Sequence, residues 1–267
     1  MTLVNGIART VVDAQDRGLH YGDGLFETMR CDQGRVRWFA RHMRRLELGC
    51  ERLALPRPDP ALVRSEIESL LTARPRAIAK LILTRGVSAG RGYRPTGDAR
   101  PTRIVAAHAW PEPAATPFRA GLSPVRLGCN PQLAGIKHLN RLEQVLAQQA
   151  ARATGLDEVL MGTESGQIVC GSASNLFVCL ADRLLTPPVD ACGIAGVMRS
   201  LVMDAAAQLG LALYITPVSA ALLAMAPALF VTNVRYGVQP VDWYEGRGLA
   251  RDERCMRLQE WIDGRFD

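Results

Sequence analysis

The sequence predicts a mixed α+β protein of two domains, and three observations carry that expectation. Short stretches rich in branched and other apolar residues, such as Ala77-Ile-Ala-Lys-Leu-Ile-Leu-Thr-Arg85 and Ser174-Asn-Leu-Phe-Val-Cys-Leu180, read as strands in both halves. Segments with apolar residues three and four apart read as helices placed among them. Trp110-Pro-Glu-Pro-Ala-Ala-Thr-Pro117 holds three prolines in eight residues and is the strongest linker signal. A length of 267 residues suits one large domain or two ordinary ones. The proline stretch divides it into a smaller domain, 1–109, a linker, 110–117, and a larger domain, 118–267.

Taken in order, Val4-Asn5-Gly6 reads as a short strand and turn. Asp16 to Arg30 is dense in glycine (Gly18, Gly22, Gly24) and enters a strand at Leu25. Arg35-Val-Arg-Trp-Phe39 reads as a strand, followed by a helix over Arg41 to Leu53 with Met43, Leu46, Cys50 and Leu53 on one face. Asp59-Pro60 opens a second helix, to about Thr72, because aspartate caps and proline suits a first turn. Ala77 to Arg85 is a strand, and Lys80 within it reads as structural or edge-facing. Gly86 to Pro95 is a loop whose Arg91 and Tyr93 suit an anion-gripping lid. Thr102 to His108 is the next strand.

The second half opens with a strand over Phe118 to Leu127 and a loop to Ile136. A helix starting at Lys137 and ending near Gly155 follows, with Leu139, Leu142, Val145 and Leu146 as its apolar face. Strands follow at 157–162, 174–180, 211–216 and 228–232, and helices at 197–209, 219–225 and 251–262. Gly193-Ile-Ala-Gly196 leads into the helix at Val197, an arrangement that aims free N–H groups and a helix dipole at an anion.

Composition narrows the function. Hydrophobic content of 48% and charged content of 22% are those of a globular protein. No apolar run reaches the roughly 18 residues that cross a bilayer. The amino end lacks the shape of a signal peptide. Seven cysteines without a CxxC pair point to a reducing cytoplasm, and neither they nor the four histidines form a metal-ligand motif. The net charge of +6 is spread along the chain with only 6% aromatic residues, which argues against nucleic acid and for a small anionic substrate. Among 32 lysines and arginines there are only two lysines, Lys80 and Lys137. Lysine can lose its proton and form a Schiff base, whereas arginine stays charged. Lys137 is therefore the candidate for covalent chemistry.

Several blocks together resemble one family. They are His20-Tyr-Gly-Asp-Gly-Leu-Phe-Glu27, His42-Met-Arg-Arg-Leu46, Gly135-Ile-Lys-His-Leu-Asn-Arg-Leu-Glu-Gln144, Ser174-Asn-Leu-Phe177 and Gly196-Val-Met-Arg199. In this order and spacing they are similar to the fold-type IV pyridoxal-phosphate enzymes, which include branched-chain and D-amino-acid aminotransferases and aminodeoxychorismate lyases. Ser123-Pro-Val-Arg-Leu-Gly128, Asn130 to Gly135 and Gly90-Arg-Gly-Tyr93 most resemble the lyases. The resemblance implies a two-domain α+β architecture with pyridoxal 5'-phosphate in the cleft between a small and a large domain, in a homodimer. It implies that Lys137 bears the cofactor and moves protons. Arg45, with the backbone amides of Val197 and Met198 and the turn at Asn233 and Val234, would bind the phosphate. Ile194 would pack on the cofactor ring, and Thr28 and Arg91 would contact substrate.

The chain departs from the family at Cys170, where a glutamate normally faces the ring nitrogen. A thiol is a weak donor and no counter-ion, so the ring would draw electrons less strongly. A lyase that gains aromatic stability in its product tolerates this, which favours conversion of aminodeoxychorismate to 4-aminobenzoate and pyruvate, a step of folate biosynthesis. The alternatives are an aminotransferase of the same fold and a cofactor-binding relative with little turnover.

Overall fold

Two compact units divide the chain, and the division does not follow a single cut. Residues 1–110 form the first unit together with Ile136–Asn140, and 116–135 with 141–266 form the second. The structure, a computed structural model, describes residues 1–72, 76–88, 92–97, 100–110 and 116–266. Arg91 and most of the proline-rich stretch, 111–115, lie outside the described residues.

The first unit contains β1 (Thr2–Val4), β2 (Ile7–Ala8), α1 (Arg17–Tyr21), β3 (Gly24–Asp32), β4 (Arg35–Val36), α2 (Phe39–Leu53), α3 (Pro60–Ser69), β5 (Ala77–Val87) and β6 (Arg100–Ala109). Its antiparallel sheet has the order β2-β1-β6-β5-β3-β4. Side chains alternate across the pleat. Leu25, Met29, Ala79, Leu81 and Val105 are buried on the face that α2 and α3 cover with Met43, Leu46, Val63 and Ile67. The opposite face carries Phe26, Thr28, Lys80 and Ile82 at half-buried or exposed positions.

Two expectations change here. The strand over 35–39 stops at Val36, because Trp38 adopts φ 53° and Phe39 already opens α2. Lys80 is not at an edge, since β5 lies between β6 and β3.

The second unit contains β7 (Arg119–Leu122), α4 (Leu142–Ala153), β8 (Glu158–Gly162), β9 (Gln167–Gly171), β10 (Asn175–Cys179), β11 (Leu184–Thr186), α5 (Val197–Gln208), β12 (Leu213–Ile215), β13 (Val218–Ser219), α6 (Ala220–Met225), β14 (Ala228–Asn233), β15 (Gly237–Val241), β16 (Trp243–Tyr244), β17 (Arg247–Gly248) and α7 (Glu253–Asp263). Its main strand order is β12-β11-β10-β9-β8-β7-β16-β17, with β14 joining β10 to β15. Phe118, Leu160, Leu176, Val178, Leu229, Val231 and Tyr244 share one core. A second cluster packs Ala147 and Ala151 of α4 on Val159, Met161, Cys170 and Cys192.

The helix expected to start at Lys137 starts instead at Leu142. Phe26 N donates to Lys137 O at 2.9 Å and Leu139 N to Gly24 O at 3.0 Å, so β3 holds the backbone of 137–139 through an isolated antiparallel bridge at His138. The expected apolar face of the helix is also not its buried one. Leu142, Val145 and Leu146 are exposed, and Ala147 and Ala151 are buried.

Candidate active site

Lys137 owes its position to that bridge. His138 lies opposite Leu25, on the face toward α2, so Lys137 turns the other way. Its Nζ stands 4.3 Å from the centroid of the Phe26 ring. Thr28 follows two residues along β3 and is half-buried on the same face.

On the opposite face of β3, Glu27 is fully buried and makes a tight cluster with α2. His42 Nδ1 donates to Glu27 Oε2 at 2.7 Å. Arg45 Nε and Nη2 donate to Oε1 and Oε2 at 2.8 and 2.5 Å, a bidentate fork. Burial alone would push the Glu27 carboxyl up, but the Arg45 guanidinium and the His42 hydrogen bond outweigh it and hold the group down at about 2. Burial lowers His42, and Arg45 and Lys137 reinforce that against the pull of Glu27. The imidazole is thus neutral, and its buried Nε2 has no hydrogen-bond partner among the described residues. Arg45 is therefore a fixed guanidinium rather than a free surface cation.

The second unit carries the other predicted residues. The turn between β9 and β10 is held by Glu158, which is buried. Glu158 accepts from the amides of Ser172 and Ala173 and from the hydroxyls of Ser172 and Ser174. This commits the carboxylate to the turn. Cys170, directly before it, is buried, and burial, with Glu158 and Cys192 adding to it, pushes its thiol up to about 12. It is a neutral group. A Cβ built on Gly193 would lie 3.9 Å from Cys170 Sγ, so the thiol borders the 193–196 loop.

That loop is pinned on two sides. Gly135 N donates to Gly193 O and Ala195 N to Gly135 O, both at 3.0 Å. Asn175 Nδ2 donates to Ile194 O at 2.9 Å. Gly196 caps α5 without a side-chain hydrogen bond, and a Cβ there would lie 2.0 Å from Asn175 Oδ1. The amides of Val197 and Met198 form the opening of α5, where the helix dipole favours an anion. Thr232 pairs in register with Asn175, and its buried hydroxyl has no partner among the described residues. Asn233 spends its side chain on the next turn: Oδ1 accepts from Arg235 N and Tyr236 N, and Nδ2 donates to Ala173 O. Asn233 and Val234 can therefore offer backbone groups only to a ligand, apart from the Val234 alkyl group.

Residues 24–244 match the family described as Amino-transferase class IV. The chain belongs to the class IV aminotransferase family. Within this family it is 32% identical to the aminodeoxychorismate lyase of Vibrio harveyi over 249 residues, 91% of this chain and 90% of that protein. It is 31% identical to a putative branched-chain-amino-acid aminotransferase of Methanocaldococcus jannaschii, covering 88% of this chain and 83% of the relative. The solved structure of 4-amino-4-deoxychorismate lyase from Pseudomonas aeruginosa matches with a TM-score of 0.92 and 38% identity, over 99% of this chain and 98% of that one. The α+β architecture is that of the fold-type IV pyridoxal-phosphate enzymes.

Of the residues expected at a site, Lys137, Arg45 and Thr28 lie in the first unit and Cys170, Ile194, Val197, Met198, Asn233 and Val234 in the second. The buried Glu27–His42 pair that orients Arg45 was not read as part of a site. Its signal was present: a glutamate between Phe26 and Thr28 in an otherwise apolar strand needs a buried partner. Thr232 gave no signal beyond its type. Among the described residues no cluster suits a metal ion, and no helix is long and apolar enough to cross a membrane.

Proposed function

We propose that this class IV enzyme is a pyridoxal-phosphate-dependent 4-amino-4-deoxychorismate lyase, forming 4-aminobenzoate and pyruvate for folate biosynthesis in the cytoplasm. The observation that carries the reading is the full-length similarity to two lyases, combined with a lysine held on an aromatic ring beside a threonine. The residues present fit the cofactor. Thr232 has an orphaned buried hydroxyl, α5 opens without a side-chain cap, and only glycine fits at position 196. These features suit a phosphate, which the Val197 and Met198 amides, the turn at Asn233 and Val234, and Arg45 would hold. Ile194 would pack on the ring and Cys170 would stand near its nitrogen.

Pyridoxal phosphate, once the substrate's amine has displaced Lys137 from it, would supply the electron sink for the carbon bearing that amine and would leave the Lys137 amine free. The Lys137 amine takes the proton from that carbon and returns a proton to the departing group. The bond between the ring and the enolpyruvyl oxygen breaks, pyruvate leaves and the ring becomes aromatic, so no amino acceptor is consumed. The neutral thiol of Cys170 supplies no carboxylate to stabilise a protonated ring nitrogen. An elimination driven by aromatisation tolerates that better than the reversible proton shuttling of an aminotransferase does. Arg91 and Thr28 are proposed substrate contacts. The same reading includes a homodimer, supported by the exposed Leu142, Val145 and Leu146 on α4.

The test is a paired assay on the purified protein. Pyruvate and 4-aminobenzoate should appear from aminodeoxychorismate without a keto acid, and Lys137→Ala should abolish both the turnover and the visible cofactor absorption. Turnover that requires a keto acid and yields no pyruvate would instead establish the aminotransferase reading, which the Methanocaldococcus relative favours. Cofactor absorption without turnover of either kind would leave a binding protein.

A further inference from the structure

No two cysteines of the chain form a CxxC pair, but the fold brings two of them together. Cys129 lies between β7 and α4, and Cys192 lies between β11 and α5, 63 residues further on. Their sulfurs are 3.5 Å apart, with the Cys129 thiol donating to Cys192. That is about 1.5 Å beyond the ~2.05 Å of a disulfide bond, a gap within the sweep of one side chain about its Cα–Cβ bond. Of the seven cysteines, Cys129 alone is exposed. Cys192 is buried in the cluster that holds Val169 and Cys170. Cys179 and Cys255 also share a hydrogen bond, but both are buried, so a reagent in solution does not reach them.

The two thiols are unlike, and the difference sets their order of reaction. A dissolved oxidant meets Cys129 first, because it stands on the exposed run 128–132. Burial holds the Cys192 thiol protonated, and Cys129, Glu143 and Asp190 reinforce that. Glu143 is fixed there, its Oε1 accepting from Gly128 N at 2.9 Å. Cys192 therefore reacts with a sulfur already placed against it, which Cys129 supplies.

We propose that Cys129 and Cys192 are a redox-active pair that closes to a reversible disulfide. The pair stands apart from the reaction the enzyme catalyses, so it holds for a lyase or an aminotransferase alike. In a reducing compartment both rest as thiols. The oxidant class that suffices is a low-molecular-weight disulfide. Cys129 loses its proton to water and attacks one sulfur of that disulfide, whose S–S bond breaks, and the expelled thiolate takes up a proton. Cys192 then loses its proton and attacks Cys129 Sγ, forming the protein disulfide and expelling the second thiolate, which is protonated in turn. Two protein thiols are oxidised and one small disulfide is reduced to two thiols. The exposed run 128–132 gives more readily than the packed cluster, so the bond closes by movement of Cys129. The cross-link ties the start of the 193–196 loop to the stretch before Gly135, which already holds that loop by hydrogen bonds. A bond spanning 63 residues restricts the unfolded chain, so the oxidised protein resists unfolding better than the reduced one.

The experiment treats the holoenzyme with glutathione disulfide, blocks the remaining thiols and digests with trypsin without reductant. The peptides Leu127–Lys137 and Leu184–Arg199, which carry Cys129 and Cys192 as their only cysteines, should appear in the mass spectrum as one cross-linked species. Dithiothreitol should separate them and restore all seven thiols. Cys129→Ser should give no cross-link. Cys192→Ala should stop at a glutathione adduct on Cys129, and circular dichroism checks that both variants fold. Oxidised wild-type protein should melt several degrees above the reduced form, and Cys129→Ser should melt alike under both conditions. Wild-type protein that forms no Cys129–Cys192 cross-link at saturating glutathione disulfide, or a Cys192→Ala variant that takes up no glutathione, overturns the assignment. A cross-linked protein that melts at or below the reduced form overturns the stabilising role, because the bond then closes only by breaking the cluster around Cys192.

Discussion

At the scale of single residues, the Glu27–His42–Arg45 cluster ties stability to pH. The Glu27 pKa is about 2 in the fold against an ordinary 4.5, so its contribution is complete above 4.5 and is lost as pH falls toward 2. His42 is lowered below its ordinary 6.5, so the unfolded chain takes up its proton first and stability also declines as pH falls through 6.5. Denaturant titrations should show both declines. Glu27→Gln should remove the lower one and cost roughly 3–5 kcal/mol at neutral pH, because it leaves a buried guanidinium without its counter-charge. A loss below 1 kcal/mol would mean that Arg45 finds another anion. The sequence drew attention to Lys137 by its residue type and to Arg45 by resemblance to a family motif, but it could not show that Arg45 is forked onto a carboxylate. That pairing depends on β3 and α2 meeting face to face, and the partners are 18 residues apart.

At the scale of elements, legibility followed how local the decisive interactions were. Helix α5 was read to within a residue, because a glycine entry and an apolar period are encoded in its own stretch. The segment 137–141 was misread for the opposite reason. Its apolar spacing continues that of α4, yet its hydrogen bonds go to Gly24 and Phe26, more than a hundred residues earlier. The exposed leucines of α4 carry an expectation of their own. A stripe formed by Leu142, Val145 and Leu146 at three- and four-residue spacing is apolar surface that a second copy of the chain would cover. Replacing Leu142 and Leu146 together with glutamate should convert a dimer to monomer in sedimentation experiments. A wild-type protein that sediments as a monomer removes the homodimer from the reading.

At the scale of the whole molecule, the chain forms two units, and the excursion at Ile136–Asn140 gave no signal in the sequence. Composition cannot reveal five residues that fold with a different partner from their neighbours on either side. A fragment ending at residue 110 should accordingly leave the Gly24–Phe26 backbone open. Its Phe26 amide should exchange hydrogen far faster than in the full chain, where it donates to Lys137 O. Appending 136–140 through a flexible linker should slow that exchange, and equal exchange in all three proteins would show that the added segment contributes no protection.

The same excursion sets an order of events during synthesis. The first unit leaves the ribosome with its sheet and helices encoded but Lys137 still untranslated, and the segment 136–140 that completes the unit comes only after the opening stretch of the second unit. The Lys137 amine therefore reaches the Phe26 ring only once translation is past the middle of the chain. An incomplete polypeptide released before that point carries the Glu27 cluster, Phe26 and Lys80, but not the amine that stands 4.3 Å from the Phe26 ring in the full chain.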